Sequence, residues 1–189
     1  TIIYFPHFLS WVIVGGLVIT LLSHDGLLNS VITLLGGKSQ MWITKSDYFR
    51  GILVASEIWK EAGWGTVVYM AALAGVSVEM YEAALIDGAT RMQKIWYITL
   101  PSILPTIVIL LILRMGSVME AGFEQVLILQ NDNVLDVGDI IDTYVYRVGL
   151  VQRKYSYSTA VGLFKSLINF ILVLGTNYTA KKMGQESLF

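Results

Sequence analysis

The sequence predicts an all-α integral membrane protein, and three observations carry that class. Apolar residues fill 55% of the 189 positions and charged residues only 14%, against about 25% charged in an average soluble domain. Mean hydropathy is +0.65. Four segments are long and apolar enough to cross a bilayer, which takes about 20 helical residues. Such a chain cannot cover itself with polar groups, so lipid is its expected solvent. No stretch alternates apolar and polar residues with period two, which rejects a β-barrel.

The first expected span is Ile2–Leu22. Pro6 sets the start of its regular helix near Phe8, after a bent approach. The connection Ser23–Arg50 is polar, with a short helix at Leu27–Leu35 and a break at Gly36-Gly37. The second span is Ile52–Val78, whose second half, Val67–Val76, carries no charge. The third is Ile103–Met119, started by Pro101 and Pro105, because proline is tolerated in a first helical turn. The fourth is Thr159–Tyr178, ended by Lys181 and Lys182. Glu120–Ser158 reads as a long acidic connection, where Glu120, Glu124, Asp132, Asp136, Asp139 and Asp142 face Arg147, Arg153 and Lys154. There is no internal repeat, so residues 1–189 are read as one transmembrane domain.

Several function classes are excluded. A net charge of −1 leaves no basic footprint for nucleic acid. The absence of cysteine removes disulfides, thiolate metal sites and cysteine nucleophiles. The two histidines, His7 and His24, are too few for a histidine-based zinc site or triad, and both are read as non-catalytic. No phosphate-cradling G-x-x-x-x-G-K-[ST] loop is present, so the chain is not expected to bind ATP through a Walker motif.

The connection near 79–97 runs on into the third span, and Tyr81–Pro105 reads YEAALIDGATRMQKIWYITLPSILP. It predicts two short helices with a hinge. Ser77 caps the first, with Glu79 near its positive end. Ala83 and Ala84 give a surface without bulky side chains, suited to close docking. Gly88 supplies the left-handed conformation that ends a helix. Thr90 and Gln93 form a capping box that starts the second helix, which is expected to stop at about Thr99.

This stretch resembles the EAA loop of permease subunits from binding-protein-dependent ABC importers. Glu82, Ala83, Ala84, Asp87, Gly88 and Ala89, followed by Ile98, Thr99, Leu100 and Pro101, fit the sugar-importer version of that pattern at its spacing. Tyr4–Trp11 (YFPHFLSW), Gly26–Asn29 (GLLN), Trp59–Trp64 (WKEAGW), Asp142–Arg147 (DTYVYR) and Gly162–Asn169 (GLFKSLIN) look typical of the polysaccharide-type sugar permeases. Asn131-Asp132-Asn133 stands where commoner members carry G-G-P. The resemblance implies an importer-type permease core in which the first short helix couples to an ATPase. The implied partners are a second permease subunit, two cytoplasmic ATPase subunits that hold ATP and Mg, an extracytoplasmic solute-binding protein and the lipid bilayer. The implied substrate is a carbohydrate, such as an oligosaccharide or a fragment of a uronic-acid polymer. The implied location is the bacterial inner membrane, as a multi-pass, non-catalytic subunit. The family core has five or more helices, so this chain is expected to be its C-terminal part, with helices preceding Thr1.

That topology puts Arg91, Lys94, Lys181 and Lys182 inside, and Lys38, Lys45, Arg50, Arg147, Arg153 and Lys154 outside. The raw count runs against the positive-inside rule, so charge does not settle orientation.

Charges inside spans are expensive and normally face a cavity or a partner. Glu57, Glu61 and Trp64 share a helix face at i, i+4, i+7 and are read as lining a sugar path. Glu57 and Lys60 are the alternative internal ion pair. Ser117, Glu120 and Glu124 are read as a second stripe continuing the third span. Arg114 is expected to have an acidic partner, in this chain or another. Lys165 and Asn169 are expected to face protein. Two other classes stay open: an ion-coupled secondary transporter using the membrane acids, and an intramembrane hydrolase, for which no serine is matched to a histidine.

Overall fold

The computed structural model describes residues 4–182 and 184. The described residues are helical, with no strand among them. The expected start of the first span, Ile2 and Ile3, lies outside the described residues. The described residues fall into two compact units, one within residues 1–64 and 120–161 and the other within 65–119 and 162–189.

In the first unit a 3₁₀ turn, Phe5–Phe8, precedes α1, Trp11–Leu22. The regular helix starts at Trp11 rather than Phe8. Leu9 is extended, and the Ser10 hydroxyl accepts the Ile13 N–H as an N-cap. Helix α2, Leu27–Leu34, matches the expected short helix, and Gly36 at φ +85 supplies its break. Helix α3, Ser46–Ala74, belongs to this unit up to Trp64; it covers most of the second expected span, starts six residues before it and stops at Ala74, so that Val78 opens the next helix instead of ending this one.

The expected acidic connection is instead folded. It holds α6, Phe123–Leu129, α7, Leu135–Gly138, and α8, Ile141–Val145, which opens into a π turn at Tyr146–Val151. Leu129 and Val134 from this segment pack with Ile43 and Phe49 into a buried cluster. Buried Gln125 donates to the Leu53 carbonyl at 2.7 Å and to Ser56 Oγ at 2.9 Å. Asn131 donates to the Ile43 carbonyl at 3.1 Å. Gly138 lies against the Phe49 ring, where a Cβ would collide.

Asp139 closes this cap with Arg147, Nη2 to Oδ2 at 2.6 Å, and accepts the Thr143 hydroxyl at 2.7 Å. Burial raises the Asp139 pKa, but the bonds from Arg147 and Thr143 and the Arg147 charge outweigh it, so the net shift is downward. The pair therefore stabilises the fold above the ordinary carboxylate range and ceases to do so as pH falls through the lowered value. Both side chains are partly exposed, so Asp139→Asn is expected to cost about 1 kcal/mol or less. Thermal melts in detergent check this: the gap between wild type and variant should close at acid pH.

The second unit holds α4, Val78–Ile86, and α5, Arg91–Gly116, together with the later part of α9, Tyr155–Lys182. The second short helix and the third span are one continuous helix rather than two. Pro101 has no N–H to offer Tyr97, and the chain widens into a π turn over Ile95–Thr99 instead of stopping. The Met119 N–H donates to Asn169 Oδ1 at 3.4 Å, so Asn169 does face protein.

Among the described residues, three helical stretches are long and apolar enough to cross a membrane: Trp11–Leu34, Arg91–Gly116 and Tyr155–Lys182. A fourth forms if α3 and α4, bent by 68°, are counted as one broken span.

Candidate functional site

Helix α4 ends as its sequence dictates. Ser77 Oγ accepts the Glu79 N–H at 3.2 Å. At the other end the Ala89 N–H reaches back to the Ala84 carbonyl at 2.9 Å, with Gly88 at φ +75. That is the Schellman closure, and it needs a residue free to be left-handed. Thr90 and Gln93 then form the expected capping box. Tyr81 Oη lies 2.8 Å from Thr99 Oγ1 and fastens α4 to the π turn of α5.

No residue of α4 is buried. Glu82, Ala83, Asp87 and Gly88 are exposed, while Ala84 and Ala89 are half-buried. Beside exposed Ala83, larger side chains also face outward. Val78, Glu82, Leu85 and Ile86 recur at i, i+4, i+7, i+8, and all four are exposed. The hydrophobic Val78, Leu85 and Ile86 were not singled out by motif reading. Their helical period alone contained the signal.

The first unit holds a second cluster. His7 Nδ1 sits 2.9 Å from Glu61 Oε2. Lys60 Nζ donates to Glu61 Oε1 at 3.1 Å and to the His7 carbonyl at 3.2 Å. The ammonium also lies 5.5 Å from the centre of the Trp11 ring, within cation–π range. His7 stacks on Trp64 at 4.7 Å with 8° between planes, and Tyr4 stacks on the same ring at 6.2 Å. Lys60 is 6% exposed, whereas Trp64 remains 46% exposed. The buried ammonium thus holds the Tyr4–Phe8 approach to α3, and the Trp64 ring stays accessible beside a carboxylate. Lys60 bonds Glu61, a contact that the sequence pattern did not single out. Sequence reading set His7 aside, because a partner 54 residues away leaves no local trace. Glu57 is half-buried on the same helix.

The second expected stripe does not form. Helix α5 ends at Gly116, and Ser117 is its C-cap. Gly122 at φ +67 starts α6, on which Glu124 is exposed in the first turn, while Glu120 lies between the helices. Ser117, Glu120 and Glu124 therefore share no helix face, because the chain turns where the stripe required it to continue. Arg114 is exposed, and among the described residues no carboxylate pairs with it. Among the described residues no cluster could hold a metal ion.

The chain matches, over residues 1–185, the family model described as the binding-protein-dependent transport system inner membrane component. It is 51% identical to Protein LplB of Bacillus subtilis, covering 100% of this chain and 60% of that one. It is 47% identical to the polygalacturonan/rhamnogalacturonan transport system permease protein YteP of the same species, covering 100% of this chain and 59% of the relative. The chain thus spans about three fifths of the length of these curated relatives. Its fold matches a chain in the crystal structure of a bacterial alginate ABC transporter in complex with an alginate pentasaccharide-bound periplasmic protein. There the TM-score is 0.95 and the identity 41%, covering 100% of this chain and 66% of that one. This chain belongs to the family of inner membrane components of binding-protein-dependent transport systems.

Proposed function

We propose that this chain is a multi-pass permease subunit of an ATP-driven ABC importer in the bacterial inner membrane. It forms half of a carbohydrate pathway with a second permease. Two separate cytoplasmic ATPase subunits, which hold ATP and Mg, drive it, and an extracytoplasmic solute-binding protein supplies the solute. The observation that carries this reading is α4. It is a helix with no buried residue that carries a carboxylate among exposed apolar side chains, and Gly88 joins it to the helix that enters the membrane. A partner that seats α4 can therefore move α5 as a lever.

The substrate is an oligosaccharide or a fragment of a uronic-acid polymer. Relatives that carry polygalacturonan/rhamnogalacturonan and alginate in their names support this class. The accessible Trp64 ring suits stacking against a sugar face, and Glu57 and Glu61 suit hydroxyls. Ser117, Glu120 and Glu124 remain candidates as separate contacts.

The complete complex in liposomes, supplied with binding protein and an oligogalacturonide, tests the reading. Uptake is expected only with ATP on the cytoplasmic side. Uptake that follows an ion gradient without ATP would make the protein a secondary transporter. The isolated chain is expected to bind no nucleotide.

A further inference from the structure

We infer that α2 docks its outward face on the lipid bilayer, so that the membrane-embedded surface of this chain continues past the break between α1 and α2. The inference is independent of which solute is carried. A surface helix of a water-soluble protein buries its apolar stripe and gives its polar residues to water. Helix α2 instead leaves its apolar stripe exposed. Leu27, Val31, Leu34 and Leu35 recur at i, i+4, i+7, i+8 and share one face. They are 68%, 54%, 85% and 81% exposed. Asn29, on the opposite face, is 2% exposed. Its Nδ2 donates to the carbonyls of Ser23 and Gln40, both at 2.7 Å. Its Oδ1 accepts the Gln40 N–H at 3.2 Å and the Trp42 Nε1–H at 2.9 Å. A fully satisfied buried amide fixes the facing of the helix, and here it fixes the apolar side outward.

Two further observations select lipid as the occupant. The first is continuity. Helix α1 has 12 residues, a rise of about 18 Å, short of a hydrocarbon core about 30 Å thick. With α2 it becomes the apolar stretch Trp11–Leu34, of 24 residues, which does qualify as a span. Residues 26–37 carry no charge, and the first that follows, Lys38, is exposed where its long stem can reach headgroups. The second is aromatic placement. Trp42, held by Asn29, packs edge-on against exposed Tyr48 at 5.0 Å. Tryptophan and tyrosine with apolar bodies and wet tips form the belts at membrane boundaries.

The chain has no cysteine, so Val31→Cys, Leu34→Cys and Thr33→Cys each give one nitroxide site on it. The labels are read by electron paramagnetic resonance power saturation in the complete complex in liposomes, with thiols of the other subunits blocked. Oxygen and a water-soluble nickel chelate are the probes. At Val31 and Leu34 the oxygen-to-nickel accessibility ratio is expected to be several-fold higher than at Thr33 on the polar side. Nickel-dominated relaxation at Val31 and Leu34 would place the face in water. Protection from both reagents would place it under another protein chain. Either result overturns the inference.

Discussion

Gly88→Val and Glu82→Lys are each expected to cut substrate-stimulated ATPase activity and transport roughly tenfold or more while the membrane helices stay folded. Gly88 sits at φ +75, and a Cβ there would meet no atom within 4 Å. The penalty is therefore purely conformational, about 1–2 kcal/mol for a residue with a Cβ and more for a β-branched one. That strain falls on the Ala89-to-Ala84 closure, which sets the angle between α4 and α5. Gly88→Ala should fall between wild type and Gly88→Val, because no steric clash adds to it. Glu82 lies at the centre of the exposed face formed with Val78, Leu85 and Ile86. A charge-assisted bond from a partner to its carboxylate is worth about 1.5–3 kcal/mol, and reversal adds repulsion. Stimulated activity should fall roughly tenfold or more. Both assays belong in reconstituted membranes containing the whole complex. Near-normal values for both variants would reduce α4 to a connecting turn.

Trp64→Ala carries the other large expected effect. Trp64 stacks with His7 and Tyr4 and stays exposed beside Glu61. Truncating an accessible aromatic anchor typically removes about 2 kcal/mol of binding, roughly a 30-fold loss. Transport should drop on that scale with complex assembly unchanged, because the Lys60–Glu61 and His7–Glu61 contacts do not use the indole. Trp64→Phe should retain much of the activity by keeping a ring face. Unchanged transport in Trp64→Ala, or failed assembly alone, would make this face structural.

The helix ends around α4 were legible because each depends on residues a few positions apart. Ser77 with Glu79, Thr90 with Gln93, and Gly88 alone are local chemistry, and the structure repeats them. The continuity of α5 was not legible. Two prolines read as a helix start, while a π turn allowed the helix to pass Pro101. The folded cap over 123–151 was hidden because its apolar residues come in short runs among acids. Their burial depends on Ile43 and Phe49, about 90 positions earlier in the chain. The His7–Glu61 pair was hidden for the same reason. Periodicity put Glu57, Glu61 and Trp64 on one helix, but only tertiary packing brings Tyr4 and His7 to it.

The claim that α4 seats in an ATPase subunit is tested most directly by site-specific cross-linking. Ile86 is 86% exposed at the end of the outward face. The chain contains no cysteine, so Ile86→Cys can carry a single photoactivated cross-linker within the complete complex. Illumination is expected to yield an adduct of this chain with the ATPase subunit, in a yield that changes when ATP is added. Adducts confined to lipid or to the second permease, with none to the ATPase subunit, would contradict the account.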